Sequence, residues 1–194
     1  KNVSAGSYFD WSGGGPLGGC KTLETVVLEE GMQTVPAWLC RRSSIITVSI
    51  PSTVTEIEHG AFYGCDNLKT VNLTGGIESI GYEAFAECNS IENLTFSETL
   101  KDIERSAFYG CDNLKTVNLT DGIENIGQWA FEGCNSIKKM IFPETLEWIE
   151  PKAFYGCTGL EEISFHKCNG SARLNIGESV FEGCTSLKTV KLAE

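Results

Sequence analysis

The chain has 194 residues, of which 41% are apolar, 10% aromatic and 21% charged, a balance that excludes an intrinsically disordered polymer. Fifteen Lys and Arg stand against 26 Asp and Glu for a formal net charge of −11, which argues against a nucleic-acid partner because phosphate binding runs on excess basic charge. No apolar run approaches the roughly 18 to 20 residues that span a bilayer, so direct membrane insertion is not expected.

Residues 1–15 are rich in Gly and Ser, carry Tyr8, Phe9 and Trp11, and follow no repeating pattern; they read as an irregular segment or partial cap. Residues 16–194 read as one domain built from a repeat. Cys65, Cys88, Cys111, Cys134 and Cys157 are spaced by 23 residues, and each ends a phrase of the form A-F-x-x-C, such as Ala61-Phe62-Tyr63-Gly64-Cys65 and Ala107-Phe108-Tyr109-Gly110-Cys111. A looser copy ends at Cys184, and two degenerate copies lie upstream at Cys20 and Cys40. Three residues after most of these cysteines an L-x-x-V-x-L segment opens, as in Leu68/Val71/Leu73 and Leu114/Val117/Leu119; after Cys40 it opens two residues later, at Ile45. Regular self-similarity of this length is the mark of a solenoid. A longer period is superposed, since residues 61–106 and 107–152 align without gaps and match at 31 of 46 positions. Residues 166–177 carry a four-residue insertion, which contains Cys168.

Within L-x-x-V-x-L the alternation predicts a short β-strand, with Val71 and Leu73 inward and Thr70 and Asn72 outward. A second apolar pair, Ile77-x-x-Ile80 in one copy, reads as a short extended piece, and A-F-x-x-C as a single helical turn. No segment has the 10 to 12 residues of helical periodicity that an ordinary α-helix needs. One such coil cannot bury its own apolar row, so coils must stack. The predicted fold is therefore an α/β repeat solenoid of about eight strands, with a parallel sheet along one side and short extended pieces and helical turns on the other.

The 23-residue unit, together with phrases such as Ile50-Pro51-Ser52-Thr53-Val54 and Phe142-Pro143-Glu144-Thr145-Leu146, resembles the BspA-like leucine-rich repeats. The resemblance covers nearly the whole chain. It implies a secreted or surface-displayed bacterial protein in a family linked to adhesion and protein binding. The start at Lys1, and an end only two residues after the last strand, suggest a fragment or processed form; export is thus compatible with the lack of a leader.

The cysteines could be metal ligands, disulfides or buried thiols. No C-x2-C pair offers a zinc site. Stacked coils hold their Cβ vectors parallel about 4.8 Å apart, too far for a relaxed bridge. Cys20, Cys40, Cys65, Cys88, Cys111, Cys134, Cys157 and Cys184 are therefore expected to be structural buried thiols, and no metal or cofactor is implied. Catalytic signals are weak: there are two histidines, His59 and His166, and no G-x-S-x-G, H-E-x-x-H or P-loop phrase, so no enzyme is expected.

Binding has better candidates. The outward strand positions form a face comprising Thr47, Ser49, Thr70, Asn72, Asn93, Thr95, Thr116, Asn118, Lys139, Ile141, Glu162, Ser164 and Lys191. Its middle carries hydroxyls and amides without charge, suited to hydrogen-bonding a protein or glycan; the bland alternative is that Thr is simply a good strand former. Trp129 and Trp148, which break the 46-residue duplication, are possible aromatic contacts, because large rings with a polar tip suit interfaces. The functional expectation is a non-catalytic adhesion module at the cell surface or outside the cell, and the rival is a spacer without a ligand. If the thiols are buried, Ellman's reagent reaches few of them in the native protein, Cys168 foremost, and most of the nine after denaturation without reductant; near-zero reactivity after denaturation would mean that they are bridged.

Overall fold

The computed structural model describes residues 15–73, 75–166 and 174–192. The N-terminal segment up to residue 14, Thr74, and residues 167–173 of the insertion with Cys168 lie outside the described residues.

Strands are numbered in chain order. The odd-numbered ones come from L-x-x-V-x-L: β1 (Thr25–Val27), β3 (Thr47–Ser49), β5 (Thr70–Val71), β7 (Asn93–Thr95), β9 (Thr116–Asn118), β11 (Lys139–Phe142), β13 (Glu162–Phe165) and β15 (Thr189–Leu192). These are the eight expected strands. The even-numbered ones are two-residue pieces from the second apolar pair: β2 (Thr34–Val35), β4 (Glu56–Ile57), β6 (Ser79–Ile80), β8 (Asp102–Ile103), β10 (Asn125–Ile126), β12 (Trp148–Ile149) and β14 (Asn175–Ile176). They join in a continuous seven-stranded parallel sheet, so the extended pieces are a second wall. The odd-numbered strands pair in parallel as three groups, β1-β3-β5, β7-β9 and β11-β13-β15, with the bridge Leu73↔Phe96 linking the first group to the second. Register follows the repeat, with Thr25 opposite Thr47, Thr47 opposite Thr70, and Lys139 opposite Glu162.

The A-F-x-x-C phrase departs from expectation. Among the described residues there is no helix; the phrase is a chain of tight turns. Ala61, Tyr63 and Cys65 donate their N–H groups three residues back, to Glu58, Gly60 and Phe62, whereas Gly60, Phe62 and Gly64 donate at 2.8 Å to Tyr82, Ala84 and Ala86 of the next coil. An α-helix would point all six N–H groups along its own axis, toward residues four back, and none sideways to the next coil. The alternation requires left-handed backbone at every fourth residue, seen at Gly60 (φ 60°) and Gly64 (φ 66°), then at Glu83 and Glu87, Ser106 and Gly110, and Trp129 and Gly133. The turn phrase is thus a third inter-coil ladder, which runs beside the continuous second sheet and the three strand groups.

The core lies between the columns. Phe62, Phe85, Phe108, Phe131, Phe154 and Phe181 stack face to face along the axis, with successive ring centroids 5.1, 5.4, 5.2, 5.1 and 5.7 Å apart. The first five are fully buried. Inward strand residues such as Leu94, Val117 and Met140, and second-sheet residues such as Ile80, Ile103 and Ile126, close around this spine. The coils leave no room for a side chain at Gly127, where a Cβ would lie 2.6 Å from the backbone of Arg105. The 46-residue period also has a structural counterpart: Glu58, Glu104 and Glu150 each accept a backbone N–H, from Ala37, Tyr82 and Gln128 respectively, at 2.9 to 3.0 Å.

All of the repeat cysteines described are free, and all but Cys20 are buried; Cys20, in the first described coil, is half-buried and more accessible than expected. From Cys88 onward each thiol donates to the carbonyl of the spine phenylalanine one coil back. Cys88 reaches Phe62 O at 3.1 Å, Cys111 reaches Phe85, Cys134 reaches Phe108, Cys157 reaches Phe131, and Cys184 reaches Phe154 at 3.2 Å. Cys65 makes the same bond to Cys40 O at 3.0 Å, which places Cys40 in the phenylalanine slot. Backbone bonding agrees, since Cys40 N–H donates to Ala61 O as Phe62 N–H does to Ala84 O. Buried Ser43 stands in the cysteine slot, its Oγ 3.7 Å from Cys65 Sγ. Cys40 is buried as expected but stands three residues before the true cysteine slot, and because Ile45 follows Ser43 by one residue fewer than Leu68 follows Cys65, its strand comes two residues late.

Burial pushes the Cys40 and Cys111 thiols up to about 12 and Cys65 to about 11, from an ordinary 9.0. A thiol held protonated in the folded chain ionises first in the unfolded one, so above pH 9 the unfolded state binds fewer protons and stability falls as pH rises. Urea midpoints are expected to hold below pH 8 and to drop steadily from pH 9 to 12, as the unfolding free energy falls by up to about 1.4 kcal/mol per pH unit for each such thiol. Constant midpoints through pH 11 would show that the thiols are not buried as described.

Candidate functional site

The strand sheet brings the expected face together. Thr70, Asn72, Asn93, Thr95, Thr116 and Asn118 are exposed on successive coils, with Ser49 exposed and Thr47 half-buried at the preceding level. Parallel pairing sets these side chains about 4.8 Å apart along the axis. They form lateral contacts, as where Asn118 Nδ2 donates to Thr95 Oγ1 at 3.3 Å. The row carries donors and acceptors and no formal charge.

Toward β15 the face becomes ionic. Lys139 Nζ and Lys191 Nζ both lie 2.9 Å from Glu162 Oε1, so three of the expected residues form one Lys-Glu-Lys group. Hydrogen bonds from the two ammonium groups hold the Glu162 carboxyl below the ordinary 4.5. A second group runs beside it, where Glu161 stands 3.5 Å from Lys138 and 3.6 Å from Lys188. All six side chains keep substantial solvent access, so these pairs add little to stability. Ile141, 42% exposed, and half-buried Ser164 lie within the same strands.

The two tryptophans do not join this face. Trp148 projects from the second sheet on β12 and is 51% exposed. Trp129 is half-buried in the turn ladder, where Arg105 stands 4.4 Å over its ring and also faces Tyr82 at 5.8 Å. A cluster of the same kind lies upstream, with Arg41 over both Trp38 and Tyr63 and with Trp38 edge-on to His59. His59 and His166 are exposed.

The turn side also holds a feature that residue spacing did not reveal. Inter-coil bonds place Tyr109, Glu132 and Tyr155 in one slot on three successive coils, and Ser106, Trp129 and Lys152 in another. With Tyr82, Glu83 and Arg105 these groups border an open groove of about 430 Å³. Tyr82 Oη donates to Glu83 Oε1 at 2.6 Å, and the Lys152 ammonium lies 5.5 Å from the centre of the Tyr155 ring. The tyrosine recurrence is visible in the sequence, but the neighbouring slots are fixed only by the turn ladder.

A solenoid of stacked coils with a parallel strand sheet, a leucine-rich inward row and an extended outward face defines a leucine-rich-repeat protein. The profile of the BspA type leucine rich repeat region matches in six copies over residues 17–111 and 78–194, and the chain belongs to that family. Among solved structures it is similar to the leucine rich repeat protein of T. pallidum, with 26% identity and a TM-score of 0.71 over 87% of this chain and 74% of that one. It also matches a leucine rich cell surface protein from Faecalibacterium prausnitzii, with 23% identity and a TM-score of 0.59, and the pneumococcal vaccine antigen PcpA, with 19% identity and a TM-score of 0.50. These alignments cover 89% and 92% of this chain but 60% and 47% of the two relatives, and at such identities they speak for the fold. No curated protein matches the sequence.

Proposed function

We propose that the chain is a non-catalytic recognition and adhesion module of a bacterial cell-surface or secreted protein, and that it holds a protein or glycan ligand against its strand sheet. Family membership supports the class, because repeats of this type are generally binding scaffolds and one structural relative is named as a cell surface protein. The observation that carries the reading is the uncharged, exposed row from Ser49 through Asn118, continuing into the Lys139–Glu162–Lys191 group. A chain with net charge −11 would be expected to scatter carboxylates over every wet surface. Here the outward positions of β3 to β9 hold none.

The row can form hydrogen bonds along an extended ligand without a long-range field that selects or repels it. The ionic end supplies orientation, since its charges are fixed and face solvent. A surface location, as named for the Faecalibacterium prausnitzii relative, belongs to the same proposal.

Two charges placed on the row, Thr95→Glu with Thr116→Glu, test it. Both sites are exposed, so folding is expected to survive. The wild-type chain is expected to adhere to at least one component of an array of extracellular-matrix proteins and host glycans, and the double variant to lose that adherence. Equal adherence by both proteins would place the ligand away from the strand sheet and overturn the reading, and adherence by neither would favour a spacer without a ligand.

A further inference from the structure

The turn-side groove is separate from the strand sheet, and its lining has a chemistry of its own. Its charges balance, with Arg105 and Lys152 against Glu83 and Glu132. Neither cation forms an ion pair among the described residues. Arg105 instead lies 4.4 Å over the Trp129 ring and 5.8 Å from the Tyr82 ring, and a guanidinium held over an aromatic face can still donate from its N–H groups. Tyr109 is 41% exposed and offers a ring to solvent.

We propose that this groove binds a neutral oligosaccharide, with the sugar chain running along the solenoid axis. Sugar hydroxyls both donate and accept, and the groove provides donors at Arg105 and Lys152 beside acceptors at Glu83 and Glu132. The apolar face of a pyranose ring suits an aromatic platform, and rings at Tyr109 and Tyr155 flank Glu132 in a single column. Two coils separate these tyrosines by about 10 Å, the span of one disaccharide, so alternate sugar rings meet alternate platforms with a carboxylate between them. An acidic ligand would gain from the cations only while facing Glu83 and Glu132, which favours a ligand without charge.

The test is a printed array of neutral, sialylated and sulfated glycans probed with the whole chain, followed by calorimetric titration of the best binder. The expected result is binding of a neutral glycan whose affinity falls by roughly tenfold in Tyr109→Ala, the loss that goes with removing an aromatic platform, and falls also in Glu132→Gln. Tyr109→Leu, which keeps an apolar side chain but no ring face, is expected to lose affinity similarly, so a folding defect in the alanine variant leaves the test intact. Binding only to sialylated or sulfated glycans overturns the proposal, as does the absence of any neutral ligand. A neutral glycan that Tyr109→Ala binds unchanged but Thr95→Glu with Thr116→Glu does not would belong to the strand sheet and overturn it equally.

Discussion

Everything in this molecule depends on one constraint: a coil of 23 residues has no interior of its own. From the coil of Phe62 onward each contributes a single spine phenylalanine, a few aliphatic side chains and one thiol, and these become a core only when another coil lies against them. Register must then agree simultaneously at three places, in the strand sheet, the second sheet and the turn ladder. A shift in one column would break the other two, which is why residues as different as Glu83, Ser106 and Trp129 all adopt the left-handed backbone that their slot requires.

The cysteine follows from the same constraint. Its slot lies beneath the carbonyl of a spine phenylalanine, where a side chain must be small, tolerate complete burial and donate a weak hydrogen bond. A thiol meets these conditions, and burial keeps it protonated and unreactive. Ser43 fills the same slot in the second described coil while Cys40 fills the phenylalanine slot, so the position is defined by the backbone rather than by the residue type.

Much of the fold was legible because the repeat multiplies every signal. The alternation Thr70-Val71-Asn72-Leu73, repeated eight times, gives the strands and their outward faces, and the 23-residue step gives their order. The turn ladder was not legible. A-F-x-x-C has the composition of a helical turn, and what prevents a helix is the pattern of N–H groups reaching the next coil, a tertiary effect invisible within one repeat. Cys40 misled for a related reason, since aligning by residue type hid that the backbone aligns it with Phe62. Of the candidate site, the neutral row and its three charged residues were readable from outward positions, but the pairing of Lys139, Glu162 and Lys191 and the assembly of Trp129 with Arg105 needed the stacking geometry. The molecule consequently presents two surfaces of different chemistry, a neutral hydrogen-bonding sheet that ends in fixed charges and an aromatic groove along the turns.

The turn ladder is the central claim, and native-state amide hydrogen exchange tests it most directly. If Phe108 and Phe131 donate to Ala130 and Ala153 of the following coils, their amides are protected to nearly the same degree as those of the strands β7 and β9, because all three columns open together. Exchange of the Phe108 and Phe131 amides at the rate of exposed loops, while the strand amides stay protected, would contradict the account and leave the strand and second sheets alone to hold the coils.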